Sequence, residues 1–133
     1  MSTITIDGGS GVGKGTISKA LAKQLNYQLI DSGAMYRTVA YFLHLNNTEP
    51  KSVKTQDLKS IQFFYENSVL QVKTNTQIVQ VEELPIRTQE NSQKTSKFAV
   101  KPIIREHITK QIRDIMKEGG FVLEGRDAGS VIF

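Results

Sequence analysis

Gly8-Gly9-Ser10-Gly11-Val12-Gly13-Lys14-Gly15-Thr16 decides how the rest of the chain is read. Upstream of it, Thr3-Ile4-Thr5-Ile6 is a β-branched run that predicts a strand ending at Asp7-Gly8-Gly9. Downstream, Ile17, Ala20, Leu21 and Leu25 recur at helical spacing from Lys14 to Leu25, and Asn26 is expected to stop that helix. Between a strand and a helix, such glycines let successive backbone N–H groups turn inward around a chain of phosphates, and the helix N-terminus adds partial positive charge. Lys14 is placed to reach the outer phosphates, and the Thr16 hydroxyl to approach the phosphates or a Mg²⁺ ion that neutralises them. A glycine-rich turn without a ligand is the plain competing reading. Strand, lysine and helix in one run weigh against it.

Working outward, Tyr27 to Asp31 reads as a second strand, followed by Asp31-Ser32-Gly33-Ala34-Met35-Tyr36-Arg37. Ser32 suits a helix N-cap, and Met35, Val39, Phe42 and Leu43 form the apolar face of the helix it opens. In an open parallel sheet, ligands bind beyond the carboxyl ends of the strands. Ser32 can therefore present a hydroxyl and helix N–H groups to a phosphate, with Arg37 just over a turn further on. Taken alone, the same residues would read as a cap and a surface charge.

Asn46-Asn47-Thr48-Glu49-Pro50 breaks that helix, and Thr55 to Phe64 is expected to be helical. Ser68 to Val81 alternates on either side of Lys73-Thr74-Asn75-Thr76, which predicts a β-hairpin with a polar tip. A hairpin inside a strand–helix series reads as an insertion, approximately residues 65–90. Gln89 to Phe98 is expected as a short helix. The strongest helical pattern runs from Lys101 to Glu118, where Ile104, Ile108, Ile112 and Ile115 share a face, Pro102 fits the first turn and Gly119-Gly120 ends it. Phe121 to Glu124 is expected as a third core strand, leading into Gly125-Arg126-Asp127-Ala128-Gly129.

A chain of 133 residues, 38% hydrophobic and 23% charged, suits a single globular domain. No apolar run is long enough to span a membrane, and Met1 to Asp7 lacks the basic and apolar regions of a secretory signal. Without cysteine there is no disulfide framework, thiolate metal site or thiol nucleophile. The two histidines, His44 and His107, lack partners at ligand spacing and read as surface residues. Lys and Arg exceed Asp and Glu by 17 to 13, a net charge of +4 that suits small anions. Scattered positives and the lack of an aromatic stripe argue against nucleic acid.

Gly-Lys-Gly-Thr at 13–16 is narrower than the general phosphate-loop pattern and resembles nucleoside monophosphate kinases. Together with Asp31-Ser-Gly-Ala-Met-Tyr-Arg37, Ile86-Arg-Thr-Gln89 and Gly125-Arg-Asp-Ala-Gly129, in that order and approximate spacing, the chain resembles bacterial cytidylate kinases. Adenylate kinases share Gly-Lys-Gly-Thr but differ in the acceptor segment and lack the hairpin insert and the Gly-Arg-Asp loop. Glu124 stands where the family usually has Asp, and Ser130 where it usually has Thr; both keep the chemical type.

The resemblance implies a P-loop α/β domain over 1–133, truncated relative to the family, with a parallel sheet flanked by helices and a small antiparallel insert that helps bind CMP. It implies ATP as phosphoryl donor on Gly8, Gly9, Ser10, Gly11, Val12, Gly13, Lys14, Gly15 and Thr16, with Mg²⁺ near Thr16. It implies CMP or dCMP as acceptor at Ser32, Tyr36, Arg37, Arg87, Arg126 and Asp127, with Lys14, Arg37 and Arg126 as catalytic cations. In that scheme Arg37 and Arg126 take the CMP phosphate, while Arg87 and Asp127 read cytosine. It further implies a cytoplasmic enzyme of pyrimidine metabolism, monomeric when complete, whose remaining strands and arginine-rich lid would follow Phe133. Without that segment, the first strand would keep an unpaired edge, and self-association and weak turnover are expected. A nucleotide-binding fragment with impaired catalysis, and a P-loop kinase for another small acceptor, stay open at this point.

Overall fold

The computed structural model describes residues 4–7 and 14–125, with side chains over 19–123. In chain order the elements are β1 (Ile4–Asp7), α1 (Lys14–Leu25), β2 (Gln28–Ile30), α2 (Ser32–Leu45), α3 (Thr55–Lys59), β3 (Gln62–Glu66), β4 (Val69–Lys73), β5 (Ile78–Gln80), α4 (Gln89–Ala99), α5 (Pro102–Met116) and β6 (Phe121–Gly125). Short 3-10 turns occupy Pro50–Ser52 and Val81–Glu83. The chain divides into two units, one of Met1–Ser32 with Ile112–Phe133 and one of Gly33–Gln111.

The first unit is built on a parallel sheet in the order β1-β6-β2. The connection from β1 through α1 to β2 skips one place, and β6 fills it. Ile30, Val122 and Leu123 are buried, as expected of strands in a parallel sheet. Helix α1 packs on β6 and β2. It ends where Asn26 turns left-handed at φ 56°, so that Asn26 N–H reaches Lys23 O at 3.3 Å and Tyr27 N–H reaches Ala22 O at 2.8 Å. Asparagine tolerates that conformation better than most residues, and the paired bonds satisfy carbonyls the helix leaves open. The Asn26 stop was legible from the sequence for this reason.

The second unit carries an antiparallel sheet in the order β3-β4-β5. Thr74 N–H bonds Gln77 O at 2.9 Å across the β4–β5 turn, the polar tip expected from the sequence. The expectation of helix from Thr55 to Phe64 is corrected: α3 stops at Lys59, and residues 62–64 belong to β3. The reason lies at Asn67-Ser68, where both residues have positive φ, 52° and 66°, joining β3 to β4 in a two-residue turn. Such turns normally advertise themselves with a glycine, and Ser68 hides this one. Phe63, Phe64 and Tyr65 also suit a pleated surface better than a helix.

Helix α5 holds the edge of this sheet. Gln111, only 6% exposed, accepts a hydrogen bond from Phe63 N–H at 2.8 Å and donates to Gln62 Oε1 at 2.8 Å. One turn earlier, His107 Nε2 lies 2.8 Å from Ile61 O. Two side chains thus cap backbone and side-chain groups that an edge strand would leave open. The surface reading of His107 is corrected accordingly; His44 is exposed as expected. The expected apolar faces hold: Met35, Val39, Phe42 and Leu43 on α2 are buried, as are Ile104, Ile108, Ile112 and Ile115 on α5. Each such side chain contributes about 1.5–3 kcal/mol of transfer free energy before ordering costs.

Candidate functional site

The parallel sheet ends three strands at one edge. Asp7 pairs with Gly125 and Ile30 with Leu123, so β1, β6 and β2 end at the same side with their carboxyl termini. The glycine-rich run follows β1, Asp31-Ser32 follows β2, and Arg126-Asp127 follows β6. Parallel pairing requires this convergence. It is also the geometry in which an open α/β sheet binds ligands. Residues 8–13 and 126–133, and with them the candidates Gly8 to Gly13, Arg126 and Asp127, lie outside the described residues. Lys14, Gly15 and Thr16 form the first turn of α1.

Helix α2 starts at Ser32, half-buried at the end of β2, and carries Tyr36 and Arg37 a turn later. Arg37 is half-buried, and its Nε is buried with no hydrogen-bond partner among the described residues. A buried donor left unpaired costs about 1–3 kcal/mol, more when it belongs to a charged group. The position therefore favours an anionic acceptor. Burial pushes the Tyr36 phenol above its ordinary value, and the nearby positive charge of Arg105 pulls in the opposite direction.

Arg87 follows the buried Ile86 and is exposed. The segment is tied to α2 by Asn91, which is 5% exposed. Asn91 Nδ2 donates to Arg37 O at 3.1 Å and to Ile86 O at 2.8 Å. Its own N–H is capped by Thr88 Oγ1 at 3.1 Å, fixing the start of α4. The backbone of Arg37 and the residue before Arg87 are thereby held by one amide, although the two arginines are far apart in sequence.

No helix is long and apolar enough to cross a membrane, and no group of three or more His, Cys, Asp or Glu side chains could hold a metal, among the described residues. His44 lies 3.9 Å from Glu90, both exposed, an arrangement of little energetic weight.

The family model for cytidylate kinase matches residues 4–133. The chain belongs to the cytidylate kinase family. Among curated relatives it is 38% identical to a cytidylate kinase of Shewanella sediminis over 135 residues, 38% to that of Pseudothermotoga lettingae over 129, and 39% to that of Shewanella oneidensis over 137. These alignments take in 98%, 97% and 98% of this chain but 58%, 56% and 58% of the relatives. The chain thus spans somewhat under three-fifths of the length of those cytidylate kinases.

For this cytidylate kinase family member, the structure adds two residues near the acceptor segment that sequence reasoning passed over. Arg105 reads in sequence as one more charge on an amphipathic helix, yet its charge acts on the Tyr36 phenol. Asn91 sits in the polar run Gln89-Glu90-Asn91-Ser92, where no spacing separates a buried amide from its solvated neighbours. The one usable signal was Thr88 three residues before it, a capping residue that marks a helix start.

Proposed function

We propose that this protein transfers the γ-phosphoryl group of ATP to CMP or dCMP, giving ADP and CDP or dCDP. The observation that carries the reading is that β1, β6 and β2 end at one sheet edge; in sequence these strands lead into the glycine-rich run, Arg126-Asp127 and Asp31-Ser32 respectively. Membership of the cytidylate kinase family supports the choice of acceptor.

In this reading Gly8, Gly9, Ser10, Gly11, Val12, Gly13, Lys14, Gly15 and Thr16 bind the ATP phosphates through backbone N–H groups and the lysine ammonium. Thr16, in the first turn of α1, supplies the single hydroxyl that suits Mg²⁺, an ion that commonly keeps several waters and shares phosphate oxygens. When bound, Mg²⁺ supplies neutralisation of charge on the phosphates. Ser32, Arg37 and Arg126 hold the CMP phosphate, with Tyr36 alongside. An oxygen of that phosphate attacks the γ-phosphorus in line, the bond to the β-phosphate oxygen breaks, and ADP leaves. The nucleophile is already ionised, so positioning and cationic stabilisation by Lys14, Arg37 and Arg126 are what the site must contribute.

Arg87 and Asp127 read the base. Cytosine offers an N4 donor to a carboxylate and N3 and O2 acceptors to a guanidinium. Uracil replaces the donor with a carbonyl, leaving two acceptors face to face, a mismatch that a buried site rejects strongly. The reading implies a cytoplasmic enzyme of pyrimidine nucleotide metabolism, monomeric when complete.

The test is ADP release by the purified chain with CMP, dCMP, UMP and AMP as acceptors, beside calorimetric titration of ATP and CMP. Preference for CMP and dCMP in binding and turnover supports the proposal. Binding of AMP or UMP in preference to CMP overturns it. Calorimetry separates loss of binding from loss of turnover.

A further inference from the structure

The second unit contains a basic cleft of about 480 Å³ that the proposed reaction does not use. Helix α4 contributes Lys94 and Lys97 to its wall, and Lys101 follows from the turn into α5. The opposite side is His44 from the last turn of α2, Thr48 from the segment after it, and Lys51 from the 3-10 turn. Pro50 and the buried Phe98 complete the lining.

Four ammonium groups line this space against one carboxylate, Glu49, which lies 3.6 Å from Lys51. Among the described residues, Lys94, Lys97 and Lys101 form no ion pair. In a chain whose 17 Lys and Arg residues are otherwise spread along the sequence, this concentration is unusual. Like charges one turn apart on a helix destabilise it by a few tenths of a kcal/mol per pair. A concave, low-dielectric wall of one sign also focuses potential on its interior. Both effects are relieved by a bound anion carrying several charges.

We propose that this cleft is a second ligand site, taking a small anion with two or more phosphate groups. Its volume lies within the range of small-molecule sites. An extended nucleic acid is disfavoured because Phe98, the aromatic of the lining, is 3% exposed and offers no stacking face. Arg37 and Arg87 are not part of the lining, so occupancy is separate from the proposed acceptor contacts.

The probe is inorganic tripolyphosphate, titrated calorimetrically into the full chain. A Lys14→Ala background keeps the probe off the glycine-rich run. The combined Lys94→Gln, Lys97→Gln, Lys101→Gln variant should weaken binding about tenfold or more, since three charged donors to the anion are lost. The matching Lys→Arg variant should retain binding. A control of equal net charge, Lys59→Gln, Lys73→Gln, Lys110→Gln, should change affinity less than about twofold. Lys59, Lys73, Lys94, Lys97, Lys101 and Lys110 all reach solvent, and circular dichroism establishes that each variant is folded. No binding by the parent overturns the proposal. So does unchanged affinity in the first variant, or equal weakening in the control. Binding of a single-stranded oligonucleotide without tripolyphosphate binding overturns it as well, pointing to a nucleic-acid surface.

Discussion

Asn91 Nδ2 bridges two carbonyl oxygens, Arg37 at 3.1 Å and Ile86 at 2.8 Å. One buried amide thus couples the helix that carries Arg37 to the segment that carries Arg87 through two backbone carbonyls. Replacing it with an isosteric apolar residue, Asn91→Leu, strips both carbonyls of their donor. Urea unfolding should register a loss of about 1–3 kcal/mol. CMP affinity should fall more than ATP affinity, because the disturbance lies on the acceptor side. Equal loss for both nucleotides, measured calorimetrically, would assign Asn91 a purely structural part.

Lys14 opens α1 directly after the glycine-rich run. In Lys14→Ala, triphosphate affinity should fall sharply while the unfolding midpoint stays close to that of the parent, since the ammonium is assigned to the ligand and not to the fold. Unchanged ATP affinity would remove the phosphate-loop assignment.

Asp127→Asn exchanges an acceptor for an amide that can donate to a carbonyl. The CMP-over-UMP preference should shrink by about 1–3 kcal/mol, the scale of one buried hydrogen-bond mismatch. Competition titrations with the two nucleotides measure it. Identical discrimination in variant and parent would mean that Asp127 does not read the base.

Ser68 occupies left-handed backbone at φ 66° in the β3–β4 turn, a conformation that costs a residue with a Cβ about 1–2 kcal/mol. Ser68→Gly relieves that strain at some cost in unfolded-state entropy. The expected outcome is a net gain of about 0.5–1 kcal/mol in urea unfolding. Destabilisation by this change would contradict the turn geometry.

His107 gives a pH signature. Burial, aided by the nearby Lys110, holds its imidazole below its ordinary value, while the bond to the Ile61 carbonyl opposes the shift. Above about pH 6.5 folded and unfolded chains both carry the neutral ring, and His107 adds no pH dependence. As pH falls below that value the unfolded state takes up the proton first, so stability declines until the folded-state value is passed. Unfolding midpoints measured from pH 7.5 to 5 should therefore fall toward acid, and His107→Gln should flatten that slope. An equally steep slope in the variant would show that other groups set it.

The local signals were strong wherever one residue type does one physical job. Strand, glycine run and helix across 4–25 follow from β-branching, backbone freedom and a 3.6-residue period. Asn26, Gly119 and Gly120 take positive φ where the sequence calls for stops. Ile104, Ile108, Ile112 and Ile115 of α5 could be read because their spacing has a single interpretation. The tertiary structure decided what depends on partners distant along the chain. Strand β3 was obscured because its turn lacks glycine, and Gln111 and His107 cap its edge from 48 and 46 residues away. Asn91 reaches Arg37 across 54 residues, and α4 and the 3-10 turn gather lysines that look scattered in sequence. A side chain's hydrogen-bond partner depends on how elements dock. Local propensity and periodicity carry almost no information about that docking.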